Sequence, residues 1–251
     1  MSEKLKGKRA LVTAGAQGIG LAISRRLLDA GCKVVVHYFS SADAANELKK
    51  EFGDRVEVLQ ADLTDPAQTE AMVGKAIEAM GGLEILINNA GSLIARKRLE
   101  EIESDFWQTV IDVNVTSMIN VTKFASPALR AAGGAAIVNL ASLAGRKGGH
   151  PGSLAYSTAK GAVLTMTRAM SNELGPDGVR VNALAPGLIL ETSFHDTHTT
   201  KESAAKTIAG IPIGRAGNPD DVAHATLFLA EQFDGFVTGA TLDINGGVYS
   251  A

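Results

Sequence analysis

The sequence predicts an α/β fold: a doubly wound, mainly parallel seven-stranded sheet with helices on both faces, in a single domain over residues 1–251. Three observations predict it. Short apolar runs alternate with helical patterns along the whole chain, and such runs are the mark of strands buried on both faces. No linker or low-complexity segment interrupts the alternation, so nothing divides the core. Right-handed crossovers between parallel strands then leave an open sheet, which binds ligands at the carboxyl ends of its strands.

Each element follows from local signals. "RALVT" reads as the first strand, and "IGLAISRRLLDAG" as an amphipathic helix stopped at Gly31. "KVVVHY" is the second strand, followed by a polar helix over "ADAANELKKEFG". "RVEVLQADL" is the third, after which Asp65 and Pro66 supply an N-cap and a proline at the first helical position. "LEILINNAG", "AAIVNLAS" and "VRVNALAPG" are the fourth to sixth strands, and "TLDING" is a short seventh. Asn218-Pro219 repeats the cap signal before a helix that ends near "FLAEQ". The arrangement is an open Rossmann-type sheet.

Composition excludes several classes. A chain of 251 residues, 45% hydrophobic and 20% charged, is ordinary for a globular protein with a sizeable core. Its net charge of −3 lacks the basic footprint of a nucleic-acid binder. No stretch approaches the ~18 apolar residues of a membrane span, and "MSEKLKGKRA" is charged rather than signal-like. The single cysteine, Cys32, permits no intrachain disulfide; it fits a small buried residue and a reducing cytoplasm. The five histidines show no metal-ligand spacing, so no metal is expected.

The chemistry concentrates at strand ends. "LVTAGAQGIG" joins the first strand to the first helix and carries Gly15, Gly18 and Gly20. Glycines let a backbone approach phosphates, and the helix N-terminus adds free N–H groups and a positive dipole end. A plain packing turn would use the same residues. "NNAG", Asn88 to Gly91, closes the fourth strand. "YSTAK" sets Tyr156 and Lys160 four apart, on one helix face, where a phenol and an ammonium can address one ligand. A surface pair of that spacing also arises by chance. Ser142 ends the fifth strand, and Asn114 lies on the helical pattern before it.

Together these motifs resemble the short-chain dehydrogenase/reductase family over nearly the whole chain. The family's loop is usually T-G-x-x-x-G-x-G; Ala14 stands where its first glycine does, with Gly15 beside it. The resemblance implies dinucleotide binding by Gly15, Gln17, Gly18, Ile19 and Gly20. In "ADLTD" it nominates Asp62 and Leu63 against adenine, and in "NNAG" it nominates Asn89, Ala90 and Gly91. "APGLILET" is similar to the stretch beside the nicotinamide and nominates Pro186, Gly187 and Ile189, while Thr192 stands one place later than the usual threonine. "TSFHDTHTTKES", with His195 and His198, falls in the family's substrate lid, about residues 188–212. The family also implies a homo-oligomer, commonly a tetramer, through residues 104–132 and 155–174.

The resemblance further implies roles in hydride transfer between a nicotinamide and a polar carbonyl or secondary alcohol, an anionic keto sugar acid among the candidates. Tyr156 would be acid in reduction and base in oxidation, with Lys160 and the oxidised nicotinamide together lowering its pKa and Lys160 holding the nicotinamide ribose. Ser142 would bond the substrate oxygen, and Asn114 would position a water between Lys160 and solvent. A catalytically silent dinucleotide sensor is the rival; it would not need Asn114, Ser142, Tyr156 and Lys160 together.

NADP(H) is expected over NAD(H). Tyr38 stands where NAD-preferring members carry an aspartate, and Ser40 and Ser41 follow as donors for a 2′-phosphate. Gln17, where NADP-preferring relatives often carry arginine, points the other way. Arg96, Lys97 and Arg98 follow the fourth strand; Arg146, Lys147 and His150 follow the fifth. They read either as solvated loop charge or as a rim that steers an anionic substrate. The chain is faintly similar to reductases of uronate-derived keto sugar acids and to 3-oxoacyl carrier-protein reductases.

Overall fold

The computed structural model describes residues 3–192, 200–231 and 235–250. Seven strands form one sheet in the order β3-β2-β1-β4-β5-β6-β7. They are β1 (Arg9–Val12), β2 (Lys33–Tyr38), β3 (Val56–Gln60), β4 (Ile85–Asn88), β5 (Ala135–Leu140), β6 (Val179–Pro186) and β7 (Thr241–Ile244). Every pairing is parallel, so the sheet is parallel throughout rather than mainly so. The strand order reverses between β1 and β4, and the crevice at that switch point receives the glycine loop from one side and "NNAG" from the other.

Nine α-helices are described: α1 (Gly18–Asp29), α2 (Ala42–Phe52), α3 (Pro66–Met80), α4 (Ser104–Ile111), α5 (Ser117–Ala131), α6 (Leu143–Lys147), α7 (Leu154–Leu174), α8 (Lys201–Ala209) and α9 (Pro219–Ala230). The expected caps form: Asp65 accepts the amides of Ala67 and Gln68, and Asn218 and Asp221 make a reciprocal capping box. Period-two alternation inside the apolar strands builds two cores. Ala10, Val12, Val34 and Val36 face α1 and α9, with Ile23, Leu27 and Val222. Leu11, Val35 and Ile137 face the other layer, with Val73, Val121 and Leu129.

Two features were not legible in the sequence. The helix between α4 and α5 widens into a π turn over Asp112–Thr116, which contains Asn114. Beneath the switch point lies a buried polar ladder: Asn88 donates to Thr122 Oγ1 (3.0 Å) and Asn139 Oδ1 (2.9 Å), and Asn139 donates to Thr167 Oγ1 (3.1 Å). The first asparagine of "NNAG" therefore braces the sheet, and the second reaches the cleft. Cys32 is fully buried with its thiol on the Leu5 carbonyl, and burial pushes its pKa up to about 12, which keeps it inert.

Candidate active site

A cleft of about 390 Å³ opens at the carboxyl ends of the strands. One wall begins with the glycine loop. Gln17 occupies the N-cap of α1 without capping it by its side chain, so the first-turn amides of Gly18 and Ile19 are left for the cleft those residues line. Ala14, the residue in place of the first glycine, is held at φ 48°, in the left-handed region that a Cβ disfavours. Asn89 clamps the loop by donating from Nδ2 to the carbonyls of Thr13 and Ala14, both at 3.1 Å. The loop is thus held in this conformation despite the alanine.

Several of the nominated residues support this wall from outside it. Gly15 is turned inward: its amide donates to the His37 carbonyl (2.8 Å) and its carbonyl accepts from Ser24 (2.9 Å). It shapes the loop and is not among the residues that line the cleft. Gly20 is likewise packed beneath the loop. Ala90 donates its amide to Thr13 Oγ1 at 3.0 Å. Half-buried Tyr38, the last residue of β2, and exposed Ser40 just after it are not among the residues that line the cleft; Ser41 donates to Gln17 Oε1 at 3.0 Å. Asp62 accepts from the amide and hydroxyl of Thr64, and Leu63 is buried beside it.

The opposite wall carries the phenol and the ammonium. Ser142 ends β5 by capping α6, accepting the Ala144 amide at 3.1 Å, and its hydroxyl hydrogen-bonds Tyr156. Lys160 is buried on α7; its Nζ donates to the Leu140 carbonyl at 2.7 Å and lies 5.8 Å from the Tyr156 ring centre. Burial pushes the Tyr156 phenol up to about 12, opposed by the bond from Ser142, and pushes the Lys160 ammonium down to about 8. In the ligand-free protein, burial is thus the main influence on the phenol, and one N–H of the ammonium is held by the Leu140 carbonyl.

Asn114 does not line the cleft. It is buried one layer behind, donating from Nδ2 to the carbonyls of Ser92 (2.7 Å) and Val110 (2.9 Å). Only the missing side chain of Gly91 separates it from Lys160: a Cβ there would stand 2.7 Å from Asn114 Oδ1 and 2.9 Å from Lys160 Nζ. Pro186, Gly187 and Ile189 line the cleft, and so does Thr192, whose Oγ1 donates to the Ile189 carbonyl at 3.3 Å.

The rim is only partly as expected. Arg146 turns away from the cleft into an ion pair with Asp243 on β7, with a closest approach of 3.1 Å and only 16% of its side chain exposed. Lys97 lies over the Phe106 ring, 4.8 Å from its centre, and Arg98 heads a short 3₁₀ turn; neither lines the cleft. Arg96, Lys147 and His150 do line it, and no Asp or Glu is among its described lining residues. The far wall is formed by Ser203 and Thr207 of α8 and Ile211, all within the stretch expected as a lid, and by Asn245 and Val248, which were missed from the sequence because only long-range packing brings them here. His195 and His198 lie outside the described residues. Among the described residues no group of three or more His, Cys, Asp or Glu stands together to hold a metal ion, and no helix is long and apolar enough to cross a membrane.

A family model described as "Enoyl-(Acyl carrier protein) reductase" matches residues 13–249. Among similar curated proteins, an uncharacterized short-chain type dehydrogenase/reductase of Sinorhizobium fredii is 36% identical over 97% of this chain and 98% of its own. A 3-oxoacyl-[acyl-carrier-protein] reductase of Vibrio cholerae is 34% identical over 98% of both chains. An acetoacetyl-CoA reductase of Shinella zoogloeoides is 36% identical over 96% of this chain and 98% of its own.

Proposed function

Because the chain belongs to the short-chain dehydrogenase/reductase family and is an NAD(P)-dependent oxidoreductase, we propose that it reduces an anionic carbonyl compound with NADPH, or oxidises the corresponding alcohol. The observation that carries the substrate reading is the charge of the cleft: Arg96, Lys147 and His150 line it, and no described carboxylate does. A keto sugar acid has the required polarity and charge. A 3-oxoacyl thioester is the second reading. It is favoured by the apolar part of the wall, Leu143, Leu188, Ile211 and Val248, and by the names of the relatives.

Gly18, Ile19 and Gln17 would hold the pyrophosphate, Asp62 and Leu63 the adenine end, and Asn89, Ala90, Gly91, Pro186, Gly187 and Ile189 the nicotinamide end. Bound there, the nicotinamide supplies hydride to a carbonyl carbon or accepts it from an alcohol. Tyr156 gives the carbonyl oxygen its proton as negative charge develops, and takes it back in oxidation. Ser142 donates a hydrogen bond to the same oxygen. Lys160 holds the ribose hydroxyls and carries a positive charge below about pH 8, which steadies the phenolate left after proton transfer. Asn114 positions a water on the route from Lys160 to solvent. Residues 188–212, including α8, act as a lid over the substrate. In the same reading the protein is a cytoplasmic homotetramer joined through residues 104–132 and 155–174; Ile119 leaves apolar surface exposed in the first segment.

Two measurements test this reading. Turnover followed at 340 nm should be faster with NADPH than with NADH, and Tyr38→Asp should lower kcat/KM with NADPH most, since a carboxylate there repels a 2′-phosphate. A tenfold preference of the wild type for NADH would overturn the cofactor assignment. For substrate charge, a 3-oxo carboxylate should outperform its methyl ester at low ionic strength. The gap should narrow as salt shortens the Debye length from about 10 Å at 0.1 M to about 3 Å at 1 M. Lys147→Ala and Arg96→Ala should narrow it too, whereas Arg146→Ala should not, because Asp243 already neutralises that guanidinium. Equal kcat/KM for acid and ester at low salt would return these cations to surface charge.

A further inference from the structure

One buried imidazole has no task in the chemistry above. His37, near the end of β2, is 2% exposed and sits under the glycine loop. Its Nδ1 stands 3.0 Å from the Ala14 amide, and an amide only donates, so Nδ1 carries no proton. Its Nε2 stands 3.1 Å from the Ala61 carbonyl, which only accepts, so Nε2 carries it. The partners thus fix one neutral tautomer. The His37 backbone carbonyl takes the next amide of the loop, that of Gly15, at 2.8 Å. Both N–H groups flanking the left-handed Ala14 residue are therefore anchored on His37, while Asn89 holds the Ala14 carbonyl.

A glycine at position 14 would adopt φ 48° without strain; an alanine needs something to hold it there. We propose that His37 is a positioning residue for the dinucleotide loop: its neutral ring holds the Ala14 peptide in the binding conformation, and protonation at Nδ1 releases it, so that dinucleotide affinity falls in acid while the chemical step does not. The protonated ring would present a donor to a donor at Ala14 N. Burial favours the neutral ring and holds the pKa below the usual 6.5, opposed by the Ala61 bond and by the Asp62 carboxylate. Asp62, on the loop after β3, is the charged group acting on the ring among the described residues; Leu59 stands opposite on β3, and Thr13 and Ala14 form the β1 side. Lys160, near 8, and Tyr156, near 12, titrate above the range concerned.

The inference rests on a dinucleotide lying against this loop, and the test separates the two. NAD⁺ is the probe, because it lacks the 2′-phosphate, which would titrate in the same range. Its Kd is measured by calorimetry from about pH 5 to 7, where an imidazole changes charge. In the wild type, affinity should fall several-fold towards pH 5. His37→Phe should bind about tenfold more weakly at pH 7, the scale of one lost hydrogen bond, and show no acid limb. Its kcat at saturating cofactor should stay within about twofold, since no reacting atom is touched. His37→Gln, which keeps an acceptor that does not titrate, should bind better than His37→Phe and also lack the limb. Adding Ala14→Gly to His37→Phe should recover affinity, as the strained residue is gone. Deuterium uptake by residues 13–20 without any dinucleotide should rise in His37→Phe, whatever the protein binds. The proposal is overturned if His37→Phe binds NAD⁺ like the wild type, if an undiminished acid limb persists in His37→Gln, or if uptake by the loop is unchanged.

Discussion

Tyr156→Phe is expected to lower kcat at least a hundred-fold while dinucleotide affinity stays within about twofold of wild type. The substitution removes one hydroxyl from a half-buried side chain on the cleft wall and leaves the ring, Lys160 and the Leu140 anchor of Lys160 in place. Burial keeps the phenol protonated across the neutral range, so it is loaded as an acid for reduction. Oxidation needs the phenolate, so its rate should rise with pH over the same range. Steady-state kinetics in both directions, with cofactor binding followed by nicotinamide fluorescence, makes the measurement. Retention of more than about a tenth of kcat would sink the assignment, because acid–base groups contribute roughly 10²–10⁴-fold.

Gly20→Ala is expected to be the most damaging single methyl in the glycine loop. A Cβ at that position would fall 2.1 Å from the Ala14 carbonyl oxygen and 2.6 Å from Asn89 Nδ2, and the first of these is backbone. Either α1 retreats from the loop or Ala14 abandons its held conformation; overpacking of this kind costs about 1–3 kcal/mol and often more. Dinucleotide affinity should fall at least tenfold, with a lowered Tm. Gly161→Ala is the control. It lies inside α7, where an added Cβ meets only the Gly145 carbonyl at 3.6 Å, an ordinary contact. That change should stabilise by about 0.5–1 kcal/mol through helix propensity. A Gly20→Ala protein with wild-type affinity and Tm would show that the loop does not need the close approach.

The two variants also separate what is local from what is not. Patterning predicts α1, its stop at Gly31, and the caps at Asp65 and Asn218, because capping and periodicity are properties of a few consecutive residues. It also places Ser142, Tyr156 and Lys160 at strand and helix ends, and parallel-sheet topology gathers such ends on one rim. The rim charges show where this reasoning stops. Arg146 and Lys147 are neighbours in sequence, yet one faces the cleft and the other is tied to Asp243 on the far edge strand. No local signal distinguishes them.

Length, alternation and motif order by themselves determined a seven-stranded doubly wound sheet with a glycine-rich loop after its first strand, and membership of an oxidoreductase family. These follow from the periods of helix and strand and from the handedness of crossovers, which the chain encodes locally. The tertiary structure alone decided that Gly15 faces inward, that Asn114 stands behind Gly91, that burial raises the ligand-free Tyr156 phenol, and that His37 holds Ala14. Each of these depends on desolvation or on a hydrogen bond between segments far apart in sequence. Such energies are fixed by which groups meet inside the closed core, and a one-dimensional pattern carries no record of that meeting.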